Sequence, residues 1–163
     1  MTVVFSVPMD RLNAHSNRRR PERMSDCCSS ICAEKTPHKK QRCPVNRQDY
    51  KAVATKTITH HIKAPWAWNG QNQNYYFCDD PDCTVVYFAE GGTTIIQSDL
   101  RTTVGIKDKS ANATLCYCFG VTRADAAAKP KIKEYVTQQT KQKMCECDTR
   151  NPSGKCCLMD FPK

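Results

Sequence analysis

Twelve cysteines in four groups constrain this 163-residue chain more than any other feature. Cys27, Cys28 and Cys32 lie near the start, and Cys43 stands alone. Cys78 and Cys83 bracket the turn CDDPDC, and Cys116, Cys118, Cys145, Cys147, Cys156 and Cys157 crowd the last third. The hydrophobic fraction is 39% with the cysteines already counted, so the apolar core is thin and sulfur must help hold the fold. Thiols do this as disulfides or as metal ligands. A stapled secreted scaffold would begin with a signal peptide, whereas MTVVFSVPMDRLNAHSNRRR has only the short run VVFSV before a basic stretch. No apolar run approaches the ~20 residues of a membrane span. The expectation is therefore a cytoplasmic protein without membrane insertion, whose reduced thiols bind metal.

The net charge of +9 points to nucleic acid only if it is concentrated on the folded part. It is not. Residues 1–51 hold eleven Lys and Arg against five acids, and residues 52–163 hold fourteen against eleven. Metal-bound thiolates offset much of that remainder. The run from Arg18 to Arg23 reads as a solvated tail, and no nucleic-acid partner is expected.

Residues 1–42 carry Arg, Lys, Ser and Pro without apolar periodicity and read as a flexible basic tail, with Met24 a candidate start. Residues 43–112 read as a small antiparallel β lobe: VATKTITHHI, NYYF, TVVYF, TTII and TTVGIK are strand-like. CDDPDC would form the tip of a hairpin between NYYF and TVVYF, with Pro81 and three aspartates making the turn. A C-x4-C pair at a hairpin tip turns both sulfurs to one side, a zinc-knuckle arrangement. Cys43, in CPVN, is the natural third ligand. The place of a fourth cysteine is taken by Asn46, a poor zinc ligand, so the fourth donor is open among Asp79, Asp82, His60, His61, Cys28, Cys32 and water. Ordinary reduced thiols in a hairpin are the alternative.

Residues 113–163 change character. Thr122 and Asp125 stand at capping-box spacing, Pro130 ends or kinks the helix that follows, and IKEYVTQQTKQK places Ile132, Tyr135 and Val136 on one face of a second helix. Cys116 and Cys118 then lie in the loop before this helix pair, and Cys145, Cys147, Cys156 and Cys157 in the loop after it. Two thiolates close in sequence on one iron, and two from elsewhere on the other, is how a [2Fe-2S] cluster is held. In NPSGKCC, Pro152 presets a turn and Gly154 allows close backbone approach to the cluster. Ligand type alone leaves a second zinc as the alternative. The fold class expected is α+β, a zinc-stabilised β lobe followed by a helical [2Fe-2S] lobe.

CYCFGVT, NPSGKCC, YYFCDDPDCTVVYF and VGIK together resemble the amino-terminal domain of the CopZ copper-chaperone family in its iron–sulfur form, over Cys43 to about Cys157. The helix pair is also similar to bacterioferritin-associated ferredoxin. The resemblance implies a mononuclear zinc site, a [2Fe-2S] cluster, and a role in reducing copper or delivering it as Cu(I). It makes Cys116, Cys118, Cys147 and Cys156 the cluster ligands, with Cys43, Cys78 and Cys83 at zinc. Cys145 has no counterpart in the pattern and competes with Cys147, while Cys157 reads as a buried or reserve thiol. Two features depart from the family: Asn46 replaces a zinc cysteine, and the M-x-C-x-x-C copper-carrying domain is absent from this chain. A copper carrier or copper-transporting protein is therefore the expected partner, with the redox donor unidentified.

The tail segment CCSSIC offers soft thiolates suited to Cu(I), or a redox-labile set without metal. His60 and His61, adjacent on a predicted strand, would point to opposite faces, and packing is the role expected of both. Trp66 and Trp68 would cover the thin core near the metal. HExxH, G-x-S-x-G and P-loop motifs are all missing, so any activity would be electron transfer at the cluster. The competing function is a structural interaction module with zinc at both sites. A ferredoxin-like partner in iron release is a third.

Overall fold

Residues 40–162 are described here by a computed structural model. Cys27, Cys28 and Cys32, with their copper reading, lie outside the described residues. Five short strands, β1 (Lys40–Arg42), β2 (Asp49–Val53), β3 (Tyr75–Phe77), β4 (Val85–Ala89) and β5 (Thr94–Ile96), form an antiparallel meander in chain order. β4 is buried along its whole length, because the sheet packs apolar groups on both faces. One face carries Val53, Phe77, Val86 and Tyr87 against Ile58 and Ile62 of the segment after β2. The other gathers Tyr50, Tyr76, Val85 and Phe88 around Cys43, Cys78 and Cys83. A register shift between Val85 and Tyr87 lets neighbouring residues of β4 serve the two faces out of strict alternation.

NYYF, TVVYF and TTII are β3, β4 and β5 as expected, but two strand readings are corrected. TKTITHH forms the helix α1 (Thr55–His61). Its β-branched residues favour a strand, yet Thr57, Ile58, His61 and Ile62 are all buried at helical spacing, and packing on the sheet overrides propensity. His60 and His61 are thus neighbours on a helix. TTVGIK folds into turns: Val104 N–H donates to Gln97 Oε1 (2.9 Å) and Gly105 N–H to the Tyr117 hydroxyl (2.6 Å). A Cβ at Gly105 would stand 1.9 Å from the Thr114 carbonyl oxygen, so only glycine fits. Residues 40–42, read as tail, pair with β2 as β1.

The second half begins with a two-stranded hairpin, β6 (Thr114–Cys116) and β7 (Val121–Thr122), where a loop was expected. Helices α2 (Arg123–Ala128), α3 (Lys131–Lys141) and α4 (Cys147–Arg150) follow. Thr122 caps α2 in a reciprocal box, its Oγ1 accepting from Asp125 N–H while Asp125 accepts from Thr122. The break at Pro130 separates α2 from α3. Val136 is buried and Ile132 half-buried, whereas Tyr135 is exposed with its ring edge against Phe119.

NPSG joins the halves. The buried Tyr87 hydroxyl donates to the Pro152 carbonyl (2.7 Å), Thr57 Oγ1 donates to the Asp148 carbonyl (2.5 Å), and Lys56 pairs with Asp148. Gly154 adopts φ +67°, where a Cβ would lie 3.3 Å from Val53 Cγ2. Its freedom serves the fit against β2 and α1, a role the sequence reading had assigned to the cluster. Trp68 is half-buried on Tyr75, but Trp66 is 85% exposed and covers nothing.

Candidate metal centres

Two hydrogen-bonded turns bring the first group of thiols together. Cys43 opens a knuckle in which its N–H donates to Gln48 O (2.9 Å) and its carbonyl accepts from Arg47 N–H (3.1 Å), with Arg47 at φ +64°. Cys78 closes β3, its N–H donating to Val86 O (2.9 Å), and Cys83 N–H donates to Asp80 O across CDDPDC (3.3 Å). The three buried sulfurs converge within 4.8 Å of one another, with Cys43 and Cys83 Sγ 4.0 Å apart. A tetrahedral zinc with arms of ~2.3 Å puts its sulfurs about 3.8 Å apart, so the trio fits that ion. Tyr50, Tyr76 and Phe88 wall it from solvent, with Tyr76 stacked on Phe88. Burial pushes the Cys78 thiol up to about 11 and the Tyr50 hydroxyl up to about 12. A divalent ion reverses this for the thiols, because it binds them as thiolates.

Two residues outside the expected set face this group. Asn46 Nδ2 donates to Tyr50 Oη (2.6 Å) and Asp80 Oδ2 (2.7 Å) and lies 3.7 Å from Cys78 Sγ. Lys107 Nζ donates to the carbonyls of Asp80 (2.6 Å), Cys83 (2.9 Å) and Val85 (2.8 Å), and also lies 3.7 Å from Cys78 Sγ. Among the described residues, none of the other fourth-ligand candidates joins the thiol group. Asp82 pairs with Lys109, Asp79 is exposed, and His61 Nδ1 bonds to Thr102 Oγ1 (2.9 Å).

The second group is arranged in pairs. Cys116 ends β6, Cys118 follows in the hairpin turn, and Cys147 opens α4, which puts the Cys118 and Cys147 sulfurs 3.7 Å apart. Cys157, 2% exposed, packs beside the fully buried Cys116. The neighbouring Cys157 thiol, with the N–H groups of Phe119 and Cys118, lowers Cys116 to about 6 against the opposing effect of burial. Cys157 is correspondingly raised, and Cys147 is raised by burial and by Cys118. Cys145 is half-buried nearby. Cys156, which the sequence reading placed at the cluster, is exposed and lines a cavity of about 320 Å³ with Phe77, Tyr117 and Met159. Successive side chains do point apart at Cys156–Cys157, but it is Cys157 that faces inward.

A family model described as a zinc binding domain, zf_CopZ, matches residues 40–101, the stretch holding the first thiol group. The solved amino-terminal domain of CopZ from Archaeoglobus fulgidus is 32% identical, with a TM-score of 0.61 over 76% of this chain and 100% of that one. This chain belongs to the CopZ family. The curated copper chaperone CopZ of the same organism is 34% identical over 122 residues, 71% of this chain. The match takes in 57% of that relative, so this CopZ-family chain spans little more than half its length. The zinc-binding-domain match and a cluster of three buried thiols that fits zinc together support metal binding by this family member. No helix among the described residues is long and apolar enough to cross a membrane.

Sequence reasoning missed Lys107 as a neighbour of the thiols. Its only trace was VGIK, whose lysine follows an apolar residue in a segment misread as a strand. Asn46 was noticed as a gap in the ligand pattern, but its role as a donor depends on Asp80 and Tyr50, and only folding reveals those partners.

Proposed function

We propose that this protein is an iron–sulfur and zinc protein of copper handling, a one-electron carrier that reduces copper or supports its delivery to a separate copper carrier. The cytoplasm is its compartment, where the nine described cysteines stay free thiols. The observation that carries this reading is the gathering of four thiols about one small core, with Cys118 Sγ 3.7 Å from Cys147 Sγ and the buried Cys157 packed with Cys116. A single zinc needs four sulfurs mutually about 3.8 Å apart. Among the described residues no three of this second group come within 4.8 Å of one another. One close pair beside two buried thiols of the same core suits two irons bridged by sulfide.

Cys116, Cys118, Cys147 and Cys157 are the ligands in this reading, with Cys157 taking the place first given to Cys156. A [2Fe-2S] cluster held there supplies one electron at a time, and one electron converts Cu(II) to Cu(I), the ion that soft ligands prefer. The chain's own contribution is positioning and shielding. The N–H groups of Cys118 and Phe119 stabilise the Cys116 thiolate, that of Glu146 acts on Cys118, and that of Cys157 on Cys147. Val136 and Phe161 keep water from the inner pair. The copper-chaperone description of the relative supports a copper-transporting partner.

Metal analysis of anaerobically purified protein tests this. The expected result is two irons and one zinc per chain, with an electron paramagnetic resonance signal on reduction by dithionite. Cys157→Ala should lose the iron and keep the zinc, while Cys156→Ala keeps both. Zinc alone, persisting after attempted cluster reconstitution, would leave a structural module. Loss of iron from Cys156→Ala would overturn the choice of Cys157.

A further inference from the structure

We propose that the zinc centre is an open three-thiolate site: Cys43, Cys78 and Cys83 hold the ion, Lys107 balances its charge, and Asn46 covers a fourth position that an external thiolate can take. The inference rests on zinc being bound at this group, and it concerns how this chain departs from a closed site.

Asn46 stands where a fourth cysteine of a C-x2-C knuckle would stand, but its orientation is fixed against ligation. Its Oδ1 accepts from Gln48 N–H (3.1 Å), while its Nδ2 faces the Asp80 carboxylate, the Tyr50 hydroxyl and the Cys78 sulfur. Turning the amide over would set its oxygen against a carboxylate oxygen and its NH2 against an N–H, losing two hydrogen bonds and creating two repulsions. Asn46 is therefore a donor to sulfur and a cover, and its half-exposed side chain can be displaced. Asp80 is also committed: Oδ1 accepts from Asp82 N–H (2.9 Å) and Oδ2 from Asn46. Among the described residues this leaves three protein ligands, the number found where zinc keeps a position for an exchangeable group.

The charges agree with three thiolates. A divalent ion on three thiolates leaves one negative charge, and on four it leaves two. The site provides one cation. Three carbonyls of the CDDPDC hairpin saturate the Lys107 ammonium and hold it 3.7 Å from Cys78 Sγ, so it cannot swing away to solvent as a surface lysine would. Lys107 offsets the one negative charge of a three-thiolate ion inside the aromatic wall, where an uncompensated charge would be costly, while the Asp80 carboxylate has its own donors in Asn46 and the Asp82 N–H. A fourth thiolate adds a charge for which no second cation stands among these contacts, so an external one is held exchangeably rather than permanently.

X-ray absorption at the zinc edge of the full-length, cluster-loaded protein reads the ligand count without interference from iron. Wild type should show about three sulfurs at ~2.3 Å and one lighter oxygen or nitrogen donor. Adding β-mercaptoethanol should bring the shell to about four sulfurs. Asn46→Cys should show about four sulfurs from the start and ignore the added thiol. Lys107→Met should keep three sulfurs but lose zinc to a chromophoric chelator on the order of ten times faster. Four sulfurs in untreated wild type, or a three-sulfur shell that added thiol leaves unchanged, would overturn the open site. A sample with no zinc at these cysteines would instead remove the zinc assignment on which the inference stands.

Discussion

At the scale of single residues, burial and partner geometry decide chemistry that residue type leaves undecided. His61 shows this. Its ring is buried on α1, bonded to Thr102, and its pKa is lowered to about 4, first by burial and then by the charges of His60 and Arg101. The unfolded chain takes up this proton near the ordinary value of about 6.5, before the folded chain does. The stability contributed by a neutral His61 is therefore present above about pH 6.5 and lost as the pH falls toward 4. Wild type should lose at most about 2 kcal/mol more than His61→Gln between about pH 7 and pH 5, measured by urea denaturation. Equal losses in the two proteins would show that the imidazole does not titrate on unfolding. Cys156 and Cys157 teach the same lesson, since no property of adjacent identical side chains says which faces inward. The packing of Cys157 against Cys116 decides it.

At the scale of elements, local signals were legible where they act locally. The Thr122–Asp125 box can be read from spacing because both partners lie within one turn, and it starts α2 as expected. Thr122→Ala should cost about 1 kcal/mol. Because this cap lies four residues after Cys118, the same substitution should, if the proposed cluster is present, broaden its resonance signal without removing iron. An unchanged unfolding midpoint would show the cap to be redundant. The turn of CDDPDC and strands β3 to β5 were also legible, through turn residues flanked by apolar runs. α1 was not, because its β-branched residues carry strand propensity while the sheet beneath them rewards the burial of Thr57, Ile58, His61 and Ile62. The period of those four positions was the available sign. TTVGIK failed for a related reason: Gly105 is required by the Thr114 carbonyl, a partner outside its own segment.

At the scale of the whole molecule, the two halves share a seam that composition gives no hint of. Arg123 donates to the carbonyls of Asp108 (2.6 Å) and Gly105 (2.8 Å), Tyr117 receives Gly105 N–H, and Tyr87 reaches from the centre of the sheet to Pro152. Pro152 is fully buried, so its carbonyl has no water to turn to. Tyr87→Phe should destabilise the protein by about 1–3 kcal/mol in denaturant titration at fixed metal content. The fluorescence of the tryptophans and, with the proposed cluster bound, its visible absorption should shift to lower urea together. Separate transitions would mean that the halves unfold independently.

The Tyr87–Pro152 bond joins positions 65 residues apart in the chain, and that separation orders events in time. A contact so distant closes late in folding, after the local hairpins of the sheet have formed. On the ribosome, Cys43, Cys78 and Cys83 emerge and can capture their ion well before Cys147 and Cys157 are synthesised. The sheet then serves as the template on which the NPSG turn settles, and only that docking brings Cys157 beside Cys116. If the second centre is loaded as proposed, its assembly waits on the docking of the NPSG turn against the sheet, and a chain stalled before its last residues would lack Cys157.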